Sequence, residues 1–191
     1  LDKWALLTWK KKLELLRSRY DTFEFHRVYH EMLDFFTVAM SSVYLDVIKD
    51  RYTMKADDKR RRVTQSVVYR ILKESIVTLA PILSFTAEEA YGYMPGNKKD
   101  SVFLEDMPSA QLNDQEKDFI KKWDDLLKVR EVVQKQLEGL RANKVIGHSL
   151  DSSVELYWEN MPVLDEEIQN LESIFIVSEV KKASSSDGLE K

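Results

Sequence analysis

Apolar residues in the first half of the chain recur every three or four positions, the spacing at which side chains share one face of an α-helix. Leu6, Trp9, Leu13, Leu16 and Tyr20 form the first such stripe and predict a helix over residues 2–20, which Asp21-Thr22 breaks. Phe25, Tyr29, Met32, Phe36, Met40, Val43 and Val47 carry a second over residues 22–51. At ~1.5 Å per residue that helix would be a rod of about 45 Å. A third is expected after Asp57-Asp58, with Val68, Leu72, Ile76, Leu79 and Leu83 as its stripe and Pro81 kinking or restarting it. A short helix then runs to the turn cluster Met94-Pro95-Gly96-Asn97, and residues 97–112 read as an irregular crossover. The fourth long helix starts after Asn113-Asp114 on Phe119, Trp123, Leu126, Val133, Leu137 and Leu140. Arg130 takes one apolar place in that rhythm, and an interhelical ion pair is the favoured reading over a contact with an outside partner.

The period changes after Gly147. Val154 to Trp158 alternates as a strand, Met161 to Leu171 reads as a helix opened by Pro162, and Ile174 to Val177 reads as a second strand. The expected fold is mainly α. An antiparallel four-helix bundle fills residues 1–147, a small strand-helix-strand unit fills 148–180, and residues 181–191, with Ser184 to Ser186, form a disordered tail.

Five glycines and four prolines in 191 residues leave few turns, in keeping with long helices, and 43% hydrophobic residues suffice for a core. No apolar run reaches the length of a membrane span. The absence of cysteine excludes disulfides and thiolate metal sites and suits a cytoplasmic setting. The chain opens on Leu1 and enters a helical pattern at once, so it is expected to be a segment of something longer.

Charge is uneven. Residues 1–62 hold 14 Lys and Arg against 10 Asp and Glu, while the rest hold 15 against 23. A basic N-terminal part points to a polyanion, although ordinary solvated helix faces give the same count. Lys3, Lys10 and Arg17 recur every seven residues along one edge of the first stripe, and Lys12 and Arg19 flank the other. Lys59-Arg-Arg-Arg62 is the densest cluster, set in the first turns of a helix where positive charge opposes the macrodipole. Its alternatives are a phosphate partner and ion pairs to neighbouring carboxylates.

Catalytic chemistry finds no footing. His26 and His30 have i, i+4 spacing, but Arg27 stands where a zincin needs Glu, and His148 is the one other histidine. The glycines at 92, 96, 139, 147 and 188 form no phosphate loop, and no nucleophile elbow is visible. Glu88-Glu89, Asp124-Asp125 and Glu166-Glu167 are adjacent in sequence and so point to different helix faces.

Several stretches together resemble the isoleucyl-tRNA synthetase family of class I aminoacyl-tRNA synthetases. Tyr44-Leu-Asp-Val-Ile-Lys-Asp-Arg51 is the most idiosyncratic. Leu1 to Trp4, Phe23 to His26, Leu79 to Glu89 and Ser101 to Pro108 add to it, the last with Phe103 where a His is common. Ile146 to Leu150, followed by the Val154 strand, resembles a bacterial-type junction. Valyl- and leucyl-type relatives fit the Tyr44–Arg51 block less well. The resemblance covers residues 1–180 and departs from a complete family member in lacking the His-Ile-Gly-His and Lys-Met-Ser-Lys-Ser motifs, the editing insertion and the cysteine-rich zinc module.

The resemblance implies the anticodon-binding helical domain of such an enzyme, inactive by itself, that receives the anticodon stem-loop of isoleucine tRNA. Its implied contacts are Lys3, Lys10, Arg17, His26, Arg27, Arg60, Arg61, Arg62, Arg141 and Lys144, with His148 beside the last two. No cofactor is expected in this segment, whereas the full enzyme would use ATP and Mg. The implied partners are tRNA and the catalytic and editing domains of the same polypeptide, in a monomer. A helical protein-interaction module is the alternative.

Overall fold

The computed structural model describes residues 1–185. The chain is mainly helical, with one small two-stranded parallel sheet, and divides into two compact units, residues 1–117 and 118–191.

The first unit is built around α1 (Asp2–Asp21). Trp9, Leu13 and Leu16 are buried as the stripe requires, but so are Trp4, Ala5 and Leu7, because the helix is covered on two sides. On one side lies α2 (Phe25–Asp34), which continues through π-helical turns (Phe35–Leu45), α3 (Asp46–Ile48) and a 3-10 turn (Lys49–Thr53). On the other lies α4 (Lys59–Leu79). Lys12 pairs with Glu31 at 2.6 Å and Tyr44 reaches back to Asp2, so α1 and the second rod run antiparallel. Thr64 meets Asp2 and Tyr20 donates to the Thr78 carbonyl at 2.6 Å, so α4 runs in the same sense as α1. Burial of Tyr20 pushes its phenol up to about 12.

The second rod buries a different stripe from the one periodicity predicts. Val28, Met32, Phe35, Met40, Tyr44 and Val47 face inward, whereas Phe25 and Tyr29 are exposed and Phe36 and Val43 only half-buried. The interval of five from Phe35 to Met40 is the mark of a π-turn, which holds more residues per turn and rotates everything before it. Ser42 Oγ donates to the Thr37 carbonyl, five residues back, at 2.8 Å.

The stripe on α4 is likewise rotated. Thr64, Val67, Ile71, Ser75 and Thr78 are buried with Ile76, while Leu72 and Leu83 are exposed. Ser75 and Thr78 enter the core because their hydroxyls donate to the carbonyls of Ile71 (2.6 Å) and Glu74 (2.7 Å), leaving only their carbon atoms to pack. The chain breaks at Pro81 and restarts as α5 (Ser84–Gly92). Ile76, Val77, Ala87, Tyr91, Met94 and Val102 form a small core between α4, α5 and the crossover.

Helix α6 (Asp114–Ala142) begins where Asn113-Asp114 predicts and carries most of its length into the second unit. There β1 (Ser153–Leu156) and β2 (Glu179–Lys182) pair in parallel, from Ser153↔Glu179 to Leu156↔Lys182. Between them lie α7 (Pro162–Glu166), opened by its proline, and α8 (Leu171–Phe175). Residues 174–177 are therefore not the second strand. Ile174 and Phe175 end α8, and Ile176 caps it in the left-handed region at φ 57°. Short apolar runs carry no period that separates strand from helix. Lys181 and Lys182, expected in the tail, complete β2 instead; residues 186–191 of that tail lie outside the described residues.

Arg130 is buried on α6 as the rhythm implies, and its Nε donates to the Ile174 carbonyl at 2.8 Å. Gln134 donates to the Phe175 carbonyl at 2.6 Å. These two side chains satisfy the last carbonyls of α8, which its left-handed end would otherwise strand.

Candidate nucleic-acid interface

The basic turn of α4 divides its arginines by role. Asp58 caps the helix, accepting from the backbone N–H of Arg60 (2.8 Å) and Arg61 (3.3 Å). The Arg61 N–H above all holds the Asp58 carboxyl below the usual range. Arg61 turns inward, its Nη1 donating to the Met54 carbonyl at 2.5 Å and pinning the preceding loop. Arg60 remains 69% exposed, its Nε 3.7 Å from Asp58, and Arg62 is exposed with Nη1 on Gln65 Oε1 at 3.1 Å. Two guanidiniums thus face solvent from a helix start that disfavours them, and a third supports the turn.

Lys3 lies at the same end of this unit. Its neighbour Asp2 accepts from Thr64 Oγ1 at 3.2 Å and from Arg51 Nη1 at 2.6 Å, which ties the start of α1 to the first turns of α4. Burial pushes the Asp2 carboxyl up, but the hydrogen bonds from Arg51 and Tyr44 outweigh it and hold the group low.

The rest of the heptad row does not extend this patch. Lys10 is bound by both oxygens of Glu116 at 2.9 Å, and that bond holds the carboxyl low. Arg17 is exposed, but about 21 Å of helix separates it from Lys3. His26 and Arg27 belong with Arg17 at that far end, near the corner where α1 meets α2. Arg27 lies 3.0 Å from Glu24, whose carboxyl is lowered first by Arg19 at 2.7 Å and then by Thr22. His26 and His30 are exposed, and among the described residues no three metal-binding side chains come together.

In the second unit Arg141 pairs with Glu138 at 2.6 Å. Lys144 is exposed in the turn that ends α6, with φ 56°. His148 serves its own backbone, its Nδ1 accepting from the Leu150 N–H at 3.2 Å while Asp151 accepts from its N–H. Nine of the ten expected contacts therefore fall into three groups, with Lys10 apart from them on Glu116. Lys3 and the α4 arginines lie at one end of the first unit, Arg17, His26 and Arg27 at the other, and Arg141 and Lys144 at the end of α6.

Periodicity assigned the aromatics of the second rod to the core and missed those at the surface. Phe23 packs edge-on to Phe25 with centroids 6.0 Å apart, and Tyr20 lies tilted against Phe25 at 5.9 Å. Tyr52 and Tyr93 are exposed near the start of α4, and their one signal in the sequence is that each stands in a turn rather than on a stripe.

A family model described as the anticodon-binding domain of tRNA ligase matches residues 2–156. The chain is 42% identical over 182 residues to an isoleucine–tRNA ligase of Geobacter sulfurreducens, covering 94% of this chain and 20% of that protein. It is 41% identical over 194 aligned positions to one of Fervidobacterium nodosum (99% and 21%) and 38% identical over 184 to one of Natranaerobius thermophilus (95% and 20%). The chain spans about a fifth of the length of these curated relatives. Its helical fold, capped basic turn and matched sequence agree: this chain belongs to the family of anticodon-binding domains of tRNA ligases.

Proposed function

We propose that the chain is the tRNA-binding helical part of an isoleucine–tRNA ligase and receives the anticodon stem-loop of an isoleucine-accepting tRNA. The reading is supported most directly by Arg60 and Arg62, which stand outward from the start of α4 at the end of the unit that also carries Lys3. Guanidiniums in that position suit phosphate oxygens, which take up their charge in paired hydrogen bonds. Arg17, His26 and Lys144 are secondary contacts, and Lys10, Arg27 and Arg141 join only by giving up their carboxylate partners. The architecture that goes with this reading is an antiparallel four-helix bundle over residues 1–147 and a junction over 148–180. ATP, Mg, catalysis and editing belong to other parts of such an enzyme, which works as a cytoplasmic monomer. Within the described residues no helix is long and apolar enough to cross a membrane.

Fluorescence anisotropy against an isoleucine anticodon stem-loop, at two salt concentrations and beside a loop of altered anticodon, tests the proposal. Salt-dependent binding that favours the cognate loop is expected. Absence of binding to either RNA, with salt-insensitive binding to a protein instead, would mean that this is an interaction module.

A further inference from the structure

Next to the basic turn of α4 lies a groove of about 320 Å³, at the small end of the ~300–1,000 Å³ typical of ligand sites. Three segments of the first unit line it. Tyr52 comes from the 3-10 turn, Gln65 and Leu72 from α4, and Tyr93 and Pro95 from the turn after α5. Tyr93 is 83% exposed and Leu72 46%, so the groove is apolar surface left open to water. It is also a fixed shape, because Tyr69 donates its hydroxyl to the Pro95 carbonyl at 3.0 Å and holds the last turn against α4.

Its polar groups sit at one end. Gln65 Oε1 accepts from Arg62 Nη1 at 3.1 Å, which places a guanidinium at the mouth. The amide N–H groups of Gln65 make no bond among the described residues. Lys59, Arg60 and Arg61 precede Arg62 on the same turns, and the nearest carboxylate in sequence, Asp58, is engaged as the helix cap.

A hydrophobic peptide would use the aromatic and aliphatic surface, and its backbone carbonyls would satisfy the Gln65 amide, but it brings no anion to the exposed guanidiniums of Arg60 and Arg62. A nucleotide uses all three: a flat ring for stacking, a base edge that exchanges hydrogen bonds with an amide, and a phosphate one bond system away. Charge complementarity therefore selects the occupant. We propose that the groove between Tyr52 and Tyr93 holds one unpaired nucleobase of the bound RNA, with Gln65 on the base edge and Arg62 on the adjoining phosphate. The inference rests on the tRNA-binding reading and adds to it the place where a base, rather than the backbone, is held.

The test compares the isoleucine anticodon stem-loop with a blunt RNA duplex of the same stem, titrated by anisotropy against wild-type chain, Tyr93→Ala, Tyr93→Phe and Tyr52→Ala. Tyr93→Ala is expected to weaken stem-loop binding roughly 5- to 100-fold, the range of one lost base–aromatic stack. Duplex affinity and the salt slope should stay unchanged, since no phosphate contact is removed. Tyr93→Phe keeps the ring and should bind within about twofold of wild type, and far-UV circular dichroism should show unaltered helicity for all variants. Wild-type affinity for the stem-loop in Tyr93→Ala overturns the base site and leaves tRNA binding intact. Equal losses for stem-loop and duplex overturn it too, because the groove would then serve the backbone. No binding of either RNA by wild type removes both proposals.

Discussion

Arg51 and Asp2, forty-nine positions apart, form an ion pair of 2.6 Å at the start of α1. The same carboxylate accepts from the Tyr44 hydroxyl at 2.7 Å, and Arg51 also donates to Thr64 at 3.0 Å. The two ends of the idiosyncratic block Tyr44–Arg51 thus converge on one acid and join α1, the π-helical turns and α4. This part of the family resemblance reports a half-buried structural junction.

Removing the acid takes the acceptor from three donors, Tyr44, Arg51 and Thr64, in a half-buried place. Asp2→Ala is expected to destabilise the chain by about 2–3 kcal/mol, and Tyr44→Phe by about 1–2 kcal/mol, in urea unfolding followed by circular dichroism. Losses within about 0.5 kcal/mol for both would show that the junction is solvated and carries no stability.

The same junction sets an acid limit. The Asp2 carboxyl is held below its ordinary value despite burial, by Arg51 and Tyr44. A group whose folded value is lowered stabilises fully above its unfolded pKa of about 3.9 and loses that contribution as pH falls through the folded value. Wild type should therefore lose stability more steeply than Asp2→Asn below about pH 4, and the two curves should run parallel above it.

The α4 arginines should separate by experiment. Arg60→Ala and Arg62→Ala are each expected to reduce the slope of log affinity for tRNA against log salt by about 1 with stability unchanged. Arg61→Ala removes the bond to the Met54 carbonyl and should cost about 1–2 kcal/mol of stability. Replacing all three weakens binding and flattens the slope while the helices persist. An unchanged slope takes these residues off the RNA face.

Burial on α4 makes a prediction that periodicity reverses. Ile71 is 1% exposed and Leu72, its neighbour, 46%. Ile71→Ala should cost about 2–4 kcal/mol and Leu72→Ala under about 1 kcal/mol in the same unfolding assay. The opposite order would mean that the stripe read from sequence is the true core.

In the second unit, Arg130→Met is expected to cost about 1.5–3 kcal/mol, because it leaves the Ile174 carbonyl without its charged donor. The loss should appear as early exchange of the amides around α8 in hydrogen-exchange measurements.

Several helix breaks and caps were legible because they are local. Asp58 caps α4, Pro81 interrupts the chain, Pro162 opens α7, and Asn113 precedes α6, each by short-range backbone chemistry that a sequence displays. The family was legible for a different reason, as residues scattered over the chain matched a known pattern together.

Which face of each helix is buried was decided only by the tertiary structure. On α4, hydroxyls satisfied within the helix let Thr64, Ser75 and Thr78 replace larger apolar residues in the core. In the second rod, one π-helical stretch shifted the register so that Phe25 and Tyr29 reached the surface. Function followed the same division. The sequence alone determined that Lys59 to Arg62 is a cationic turn. Only folding decided that Arg61 supports that turn while Arg60 and Arg62 face outward, that Glu116 neutralises Lys10, and that Tyr52 and Tyr93 border one groove. Charge and period are properties of neighbouring residues, whereas the partner of a charge and the exposure of a ring depend on chain segments brought together from far apart.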